Sequence, residues 1–506
     1  MLKTKYILIA VLCTFTFIFT SCKKDRSYND QGGLVPGPDL TVYVLTSDSK
    51  LLLVNAKNPS SITSQATLSG LQTGETILGI DFRPATGQLY GIGSTSRLYI
   101  IDPKTGVSRA VSATPFTPAI SGTSVGFDFN PTVDRIRLVT STGQNLRLHP
   151  ETGAVAATDG AINGVPNAKI TASAYTQNKA GATMTVLFGI DVANSKLHKQ
   201  DPPNDGKLVE VGSIGFDIED ASGFDINPDG TSALAALSVA GTSSLFTIDL
   251  TTGKASKIGD FTQHITGIAI PTEPVAYAIS TTNDLLIFNP LATTPTLIAK
   301  PITGIQTGET ILGLDMRPVN GQLFALGSTS RIYTINASSG VAAAVGTSSF
   351  ATLLSGTSFG FDFNPTVDRI RIVSNTGQNL RFNPADGTVI VDGNISLASA
   401  NITGAAYTNN FAGATTTVLF DIDSQTDRLY KQDPPNLGAL VDVGALGINV
   451  EAANGFDIGS TSGAAYGLFT VSGVQKIYTV DLTTGVASAL GTISTPARAF
   501  TLGIGL

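Results

Sequence analysis

The chain has 506 residues, with 53 glycines, 24 prolines, no tryptophan, 14% charged residues and a formal net charge of -7 at pH 7. This composition excludes a coiled coil, a disordered acidic chain and a basic nucleic-acid binder, so nucleic acid is not an expected partner. With 42% hydrophobic residues and a mean hydropathy of +0.20, the chain has ample material for a packed core.

The first predicted element is an export signal over residues 1–21. Lys3 and Lys5 give it a positive start, and the apolar run Tyr6–Phe19 that follows is too short to span a bilayer. Two small residues then precede Cys22, an arrangement that resembles the lipobox of bacterial lipoproteins, in which the cysteine carries the lipid. We therefore expect a lipid on Cys22; the alternative is an ordinary secretory signal that ends near a cysteine.

Residues 22–39 are predicted to be a lipid-anchored tether, because glycine and proline are frequent in this stretch and apolar residues are few. Lys23 stands where an inner-membrane retention signal of the enterobacterial type would place aspartate. This favours the outer membrane. We expect a monomeric outer-membrane lipoprotein, on the periplasmic face or the cell surface, that reaches the membrane through its lipid anchor.

The rest of the chain is a tandem duplication, predicted as residues 40–273 and 274–506. The segment GETILGIDFRP at 74–84 returns as GETILGLDMRP at 308–318. Residues 121–153 match residues 355–387 at 25 of 33 positions, and QDPPN at 200–204 returns at 432–436.

A shorter period lies within each half. Turns such as DPKTG at 102 and DLTTG at 249 recur every 40 to 52 residues and divide the two halves into ten units. Each unit contains four short runs with period-two alternation, and no stretch after the tether predicts a helix. Four strands repeated at this spacing are typical of a β-propeller blade, whereas the rungs of a β-solenoid, the rival architecture, are usually shorter. The predicted fold is all-β: a propeller of ten four-stranded blades.

The number of rings is left open between two arrangements. Two five-bladed propellers would form if Ile265–Ile270 completes the first ring and Phe500–Leu506 completes the second. However, Pro271–Pro274 joins Ile265–Ile270 to Val275–Ser280 about as tightly as a hairpin turn joins two strands within a unit. This predicted hairpin favours one continuous ten-bladed ring.

Four glutamates occupy the same position relative to a first-strand glycine, four residues before it, namely Glu75, Glu219, Glu309 and Glu451. Equivalent positions converge in a propeller, so these carboxylates and Asp220 are the candidate site at the central channel. Like charges gathered there would raise one another's pKa or recruit a cation or a basic ligand. The alternative is that each accepts backbone N–H bonds in its own loop.

A weaker candidate metal site is the segment Asp225, Asn227, Asp229 and Gly230, whose alternating oxygen ligands resemble the opening of a calcium loop. No downstream glutamate completes the loop, and the second copy does not keep the pattern. A tight turn between strands is therefore the main interpretation. Ca²⁺ is the one cofactor that the sequence suggests, and only weakly.

Two segments, 122–126 and 356–360, spell GxSxG, the nucleophile-elbow pattern of serine hydrolases. That motif needs a turn from strand to helix and a histidine base. Here the motif opens a strand, and the histidines His149, His198 and His264 have no histidine counterparts in the second half. We therefore interpret both segments as glycine-rich loops and predict no catalytic residue.

Aspartates and arginines recur near the ends of the first and second strands. Asp81, Asp128, Asp315 and Asp362 stand shortly before a proline and are interpreted as turn residues. Arginines alternate with apolar residues on a second strand in each half, and we expect them to form ion pairs between blades, with Asp134 and Asp368 close in sequence. The alternative is that they form a ligand site. The arginines are Arg135, Arg137, Arg369 and Arg371.

The segments GETILGIDFRPATGQLYGIG, GFDFNPTVDRIRLVTSTGQNLR and LHKQDPPNDGKLVEVG, with their second copies, resemble the uncharacterised family numbered 4394 among the domains of unknown function. Two copies would cover nearly the whole chain after the tether. The resemblance implies a propeller-like extracytoplasmic domain. It implies no substrate, reaction or catalytic residue.

We expect a binding or scaffold protein whose ligand is a cell-envelope component, either a glycan or a protein, because rigid blades present many loops while the sequence offers no credible catalytic pair. One alternative is a metal-assisted hydrolase or lactonase-like propeller that uses the channel carboxylates. Another is a purely structural surface protein.

Overall fold

The computed structural model describes residues 33–397 and 399–506. Within this part of the chain the regular structure is entirely β-strand, apart from two short 3-10 turns at Pro203–Asp205 and Pro435–Leu437. No helix in it is long and apolar enough to cross a membrane. The predicted signal peptide and Cys22 lie outside the described residues.

The first half of the repeat contains twenty strands. They are β1 (Thr41–Thr46), β2 (Lys50–Asn55), β3 (Asn58–Thr67), β4 (Ile77–Phe82), β5 (Leu89–Gly93), β6 (Arg97–Ile101), β7 (Ser108–Ala110), β8 (Val125–Asn130), β9 (Arg135–Thr140), β10 (Asn145–Leu148), β11 (Val155–Thr158), β12 (Ile170–Tyr175), β13 (Leu187–Asp191), β14 (Lys196–Gln200), β15 (Leu208–Ser213), β16 (Asp220–Ile226), β17 (Ala233–Val239), β18 (Thr242–Ile248), β19 (Ala255–Asp260) and β20 (Ile265–Ala269).

The second half repeats this series. Its strands are β21 (Ala276–Ser280), β22 (Asp284–Phe288), β23 (Ile298–Pro301), β24 (Ile311–Arg317), β25 (Gln322–Gly327), β26 (Arg331–Ile335), β27 (Ala342–Ala344), β28 (Phe359–Asn364), β29 (Arg369–Ser374), β30 (Asn379–Phe382), β31 (Val389–Val391), β32 (Ile402–Tyr407), β33 (Leu419–Asp423), β34 (Arg428–Gln432), β35 (Leu440–Ala445), β36 (Ala452–Ile458), β37 (Ala465–Val471), β38 (Val474–Val480), β39 (Ala487–Thr492) and β40 (Ala497–Leu502).

The forty strands form ten antiparallel sheets of four strands each, which confirms the all-β fold and its ten units. Eight sheets consist of four consecutive strands, starting with β4, β8, β12 and β16 in the first half and with β24, β28, β32 and β36 in the second. The other two sheets take one strand from the far end of the same half, in the orders β20-β1-β2-β3 and β40-β21-β22-β23. The architecture is therefore propeller-like, with each half using only its own strands.

The hairpin predicted through Pro271–Pro274 is wrong. Strand β20 pairs with β1, where Val44 lies opposite Ile268, and β21 pairs with β40, where Tyr277 lies opposite Thr501. The preference for a ten-bladed ring rested on that hairpin and loses its basis. The physical reason is that alternation and turn residues identify a strand without identifying its partner, which here lies more than two hundred residues away.

One strand of every sheet, which we call the inner strand, packs against the inner strands of two other sheets. In the first half, β4 contacts β8 and β20, while β12 lies between β8 and β16, and β16 contacts β20. The same contacts recur in the second half among β24, β28, β32, β36 and β40. Glycine permits this close approach: a Cβ at Gly126 of β8 would lie 2.1 Å from the Oγ of Ser173 on β12.

The hydrophobic core is divided into clusters between neighbouring sheets. One cluster joins Leu45 of the β20-β1-β2-β3 sheet to Ile80 and Leu89 of the next sheet, and another joins Val44 to Leu234 of the sheet on its other side. Burial of these side chains supplies the main driving force for packing sheet against sheet. Each sheet is therefore held on both faces by apolar contacts.

The two halves also contact each other. Tyr277 donates a hydrogen bond of 2.8 Å from its hydroxyl to the carbonyl oxygen of Ala85. Ala85 shares a buried apolar cluster with Val275 and Tyr277 of the second half. The amide of Gly505 donates to the carbonyl oxygen of Thr86 at 2.6 Å.

Candidate functional site

The first half contains a cavity of about 220 Å³ at the beginning of its inner strands. All five inner strands, or the residues just before them, line it, including Thr76, Thr123, Thr171 and Thr266. Nine of the fifteen lining residues are serine or threonine, and Asp220 contributes the one charged side chain. Such a lining offers many hydroxyl donors and acceptors to a polar ligand.

The second half contains a cavity of about 170 Å³ that is also lined from all five inner strands. Its lining has fewer hydroxyl-bearing residues, Thr357 and Ser358, and includes Phe359 and Phe500, with Asn454 and Arg498 as further polar members. Arg498 donates to the carbonyl oxygen of Thr281 at 2.5 Å, and its Nε has no hydrogen-bond partner. The two cavities therefore differ in charge: the first carries a carboxylate and the second a guanidinium.

Two of the predicted channel glutamates are buried and bonded within their own sheets. Glu75 is 6% exposed, and its Oε1 accepts bonds from the amide and hydroxyl of Thr95, at 3.2 and 2.6 Å. The Tyr99 hydroxyl donates to the other oxygen of Glu75. Glu309 is held in the same way by Thr329 and by Tyr333, whose hydroxyl lies 2.9 Å away.

The other predicted carboxylates also bond locally. Glu219 and Glu451 are exposed, and each accepts a 2.9 Å hydrogen bond from a turn glycine, Gly241 and Gly473 respectively. Asp220 accepts a 2.8 Å bond from the Ser222 hydroxyl and lines the first cavity. The structure thus places Asp220 at a cavity and holds the four glutamates in their own sheets, so it does not bring the five together.

A different set of carboxylates does converge in each half. Asp81, Asp128 and Asp225 are each at most 1% exposed, and they present oxygen atoms that all lie within 4.8 Å of one another. We call this set the first triad. The second triad, Asp315, Asp362 and Asp457, has the same arrangement and comparable burial.

Backbone amides hold the carboxylates of the first triad in place. Each aspartate accepts a hydrogen bond from a backbone amide of the neighbouring inner strand. Asp81 on β4 accepts from Phe129 of β8 at 2.7 Å, and Asp128 on β8 accepts from Tyr175 of β12 at 2.9 Å. Asp225 on β16 accepts at 2.6 Å from Ile270, the residue that follows β20. The aspartates therefore occupy equivalent positions on β4, β8 and β16. On β8 the donating residue, Phe129, directly follows the aspartate. The residues that directly precede the donors Tyr175 and Ile270 are Ala174 and Ala269, so alanine occupies the equivalent position on β12 and on β20.

Burial disfavours the charged form of every member of the first triad. Desolvation, followed by the neighbouring carboxylates, raises the pKa of Asp81 and of Asp128 well above the usual range for aspartate. Desolvation raises the pKa of Asp225 to about 7, although backbone amides and the nearby Asn178 oppose the shift. Three carboxylates this close cannot all be ionised without a compensating positive charge.

The second triad differs from the first by one side chain. Thr501 stands where the first half has Ala269, and its hydroxyl lies 3.0 Å from Asp315 and 2.9 Å from Asp457. Desolvation raises the pKa of Asp457 to about 6. A hydroxyl thus bridges two carboxylates in the second half, whereas the first half offers only a methyl group there.

The fold places the residues of the predicted calcium loop in two different environments. Asp225 belongs to the first triad, while Asn227 and Asp229 form a turn with Thr231 and Ser232. Asn227 accepts from the Ser232 amide at 2.8 Å, and Asp229 accepts from the Thr231 amide at 2.9 Å. The structure therefore brings one of these three residues to a carboxylate cluster and holds the other two in a turn.

Sequence reasoning missed the triads, although a signal for them is present. The pattern glycine, hydrophobic residue, aspartate occurs on three inner strands of the first half, at Gly79–Asp81, Gly126–Asp128 and Gly223–Asp225. Equivalent positions converge in a propeller, and this holds for the three aspartates as it does for the four glutamates. Their position before a proline favoured a turn, and sequence alone does not reveal that they are buried.

The arginines form ion pairs, with partners that differ from those expected. Arg137 is buried and contacts Asp159 at 2.6 Å and the Asn204 side chain of the QDPPN motif at 2.7 Å. Asp134 pairs with Arg83 of another sheet, at 2.5 Å, so this ion pair does join two sheets. Arg371 repeats the Arg137 contacts in the second half, with Asp392 and Asn436.

Arg135 and Arg369 were also expected to form ion pairs. Each donates instead to backbone carbonyls: Arg135 to that of Asp134 at 2.7 Å, and Arg369 to those of Val367 and Asp368 at 3.2 and 2.9 Å. Asp368 pairs with Arg317, whose Nε lies 2.9 Å from it.

The serines of the two GxSxG segments lie at the cavities. Ser124 lines the first and Ser358 lines the second. In the described part of the chain, the three histidines lie against other groups: His149 accepts from the amide of Glu151, the Nε2 of His198 lies 3.4 Å from Asp191, and His264 lies 3.3 Å from the hydroxyl of Ser243. The geometry therefore provides no histidine base for either serine.

Comparison with known proteins identifies a family without an assigned activity. A family model described as "Domain of unknown function (DUF4394)" matches residues 50–269 and again residues 284–503. No curated protein matches the chain. Among solved structures, the hydrazine synthase of Kuenenia stuttgartiensis is similar over 82% of this chain and 98% of its own, at 9% identity and a TM-score of 0.26. A likeness this weak carries no argument about function.

Proposed function

The chain belongs to the DUF4394 family, in two tandem copies, and we propose that it is a lipid-anchored binding or scaffold protein of the cell envelope, built from two five-bladed propellers. The observation that carries the proposal is the pair of cavities lined by all five inner strands of each half. Rigid scaffolds that present short loops around a concave site are well suited to binding.

Closure into two rings is supported by the strand contacts. In the first half, β20 packs against both β16 and β4 while it pairs with β1. In the second half, β40 packs against both β36 and β24 while it pairs with β21. Completing the first blade with the last strand is a way to join the ends of a propeller without leaving an open edge.

A polyhydroxylated ligand, such as an envelope glycan, suits the first cavity best. Its serine and threonine hydroxyls can exchange hydrogen bonds with sugar hydroxyls, and Asp220 supplies a charge-assisted acceptor. The second cavity, with Arg498 and its unpartnered Nε, suits an anionic or carbonyl-bearing group. The two halves would then bind different parts of one ligand, or two ligands.

Calorimetry on the purified chain without its signal peptide tests this proposal, with oligosaccharides of N-acetylglucosamine and maltodextrins as probes. We expect saturable binding that Asp220→Asn weakens on the order of tenfold, the loss of one charge-assisted hydrogen bond. Glu210→Gln is the matched control, since Glu210 is an exposed carboxylate on β15 that pairs with Lys196. Equal affinity in the wild type and in Asp220→Asn would exclude the first cavity, and the absence of any saturable binding would favour a purely structural protein.

A further inference from the structure

We propose that the first triad, Asp81, Asp128 and Asp225, binds one divalent cation of the calcium class inside the first half of the molecule. Oxygen atoms from all three carboxylates lie within 4.8 Å of one another. Ligands that share a Ca²⁺ ion at bond lengths of 2.3 to 2.6 Å stand up to roughly 5 Å apart. The spacing of the triad therefore matches the coordination sphere of such an ion.

Within the described residues, the groups that bond to the triad are backbone amides and the Asn178 side chain, which carry no net charge. Amides of Phe82, Phe129, Tyr175, Ile226 and Ile270 donate to the carboxylates. Among the ion pairs of the described residues, none involves a member of the triad. Backbone dipoles orient carboxylates but do not neutralise three of them, whereas a divalent ion would cancel most of the charge.

A separate observation points to a missing ligand. Asn178, in the loop after β12, is 0% exposed; its side chain hydrogen-bonds to the carboxylate of Asp225, and its amide oxygen has no hydrogen-bond partner. The same side chain lies close enough to Asp225 to lower the pKa of that carboxyl. Leaving a buried amide oxygen unpaired costs free energy, and amide oxygens are common ligands of Ca²⁺. A cation held by the triad and by the Asn178 oxygen would satisfy both.

The second half shows why the proposal is confined to the first. There the hydroxyl of Thr501 lies between Asp315 and Asp457 and bridges them directly. In the first half, Ala269 has no hydroxyl to offer, so the carboxylates of Asp81 and Asp225 are not bridged in this way. The chain thus contains its own comparison, with two similar triads of which one has an internal bridging group.

The test measures the metal content of the purified chain without its signal peptide, after incubation with Ca²⁺ and removal of free ions, together with the melting temperature in Ca²⁺ and in chelator. We expect one ion per chain and a melting temperature that Ca²⁺ raises on the order of 5 °C. The double variant Asp81→Asn/Asp225→Asn should lose both effects. The matched variant Asp315→Asn/Asp457→Asn should keep them.

A milder variant covers the case in which the double variant does not fold. Ala269→Thr introduces the side chain that the second half tolerates at the same position, and we expect it to lower the affinity for Ca²⁺ at least tenfold while the fold is kept. The proposal is overturned by a chain that binds no Ca²⁺, Mg²⁺ or Mn²⁺ at millimolar concentrations. Metal that is retained in Asp81→Asn/Asp225→Asn, or lost only in Asp315→Asn/Asp457→Asn, overturns it equally.

Discussion

The guanidinium of Arg83 lies 3.3 Å from the carbonyl oxygen of Gly321, across 238 residues of sequence. Arg83 belongs to the first half and Gly321 to the second, so this contact joins the two. The same guanidinium pairs with Asp134 and Glu151 and is completely buried. Its counterpart in the second half, Arg317, pairs with Asp368 but is 19% exposed.

Arg83→Met should therefore destabilise the chain much more than Arg317→Met. Removing Arg83 leaves Asp134 buried without its partner, which typically costs about 3 to 5 kcal/mol. For the more exposed Arg317 we expect about 1 kcal/mol or less. Denaturant unfolding of both variants measures the difference, and equal losses would show that the buried contact between the halves contributes little.

Asp421 on β33 gives a prediction about pH. It is fully buried, burial raises its pKa to about 8, and the Arg371 charge only partly opposes the shift. Between roughly pH 4 and pH 8 the unfolded chain gives up a proton that the folded chain keeps, so the free energy of unfolding falls as pH rises. Asp421→Asn should remove this loss and stabilise the chain at pH 8 on the order of 3 kcal/mol, with little effect at pH 4.

Melting curves at several pH values check the Asp421 prediction. Asp442→Asn is the control, because Asp442 is an exposed carboxylate on the neighbouring strand pair and bonds to Arg428. The prediction fails if Asp421→Asn and the wild type lose stability in parallel as pH rises.

Glu75→Gln should destabilise the chain by roughly 1 to 3 kcal/mol, because the new amide group would face the donors Thr95 and Tyr99 in a buried site. Glu219→Gln should change the free energy of unfolding by less than about 0.5 kcal/mol, since Glu219 is exposed. Calcium-dependent melting of the two variants adds a second measurement. A calcium shift that disappears in Glu75→Gln would place an ion at the glutamates and contradict the proposed aspartate site.

The pairing of β40 with β21 predicts a local effect of truncation. A chain that ends at residue 496 lacks the strand that pairs with β21. We expect the amides of β21 to exchange hydrogen rapidly in that chain, while β1 keeps its protection because its partner β20 is intact. Hydrogen exchange with mass spectrometry resolves the two strands, and protection of β21 without β40 would contradict the pairing of these two strands.

The predicted lipid anchor is tested by fractionation of cells that express the full chain. Cys22→Ser should release the protein from the membrane fraction and abolish incorporation of labelled palmitate, because a diacylated cysteine is the expected attachment. Cys13→Ser, in the apolar run of the signal, should leave both unchanged. Membrane association that persists in Cys22→Ser would point to another mode of attachment.

Sequence predicts the strands well because their signals are local. Alternation in segments such as β8 and turns such as that at Asp102 arise within a few residues, and the duplication is visible by direct comparison. The pairing of one strand with another is not encoded locally in this way. The choice of β20 between β1 and β21 depends on packing across the whole first half, which no local pattern encodes.

The candidate site was harder to predict for a related reason. Glu75 and Asp81 are both acidic residues at repeated positions near an inner strand, and sequence spacing does not tell which of them points toward its counterparts. The structure separates them: Glu75 bonds to side chains of its own sheet, and Asp81 approaches Asp128 and Asp225. Asn178 recurs as Asn410 in the second half, but it lies in a loop that only the fold brings next to Asp225.

The borrowed strands of the β20-β1-β2-β3 and β40-β21-β22-β23 sheets determine where the backbone can be interrupted. A protease that cuts between Pro271 and Pro274 would sever no sheet of the described structure, and the fragments would stay associated through contacts such as that of Tyr277 with Ala85. A cut anywhere between β1 and β20, by contrast, places these two paired strands on separate polypeptides. The first half would then hold together only through non-covalent contacts between the two pieces. The proline-flanked segment is thus the natural point at which to split the gene into two co-expressed pieces.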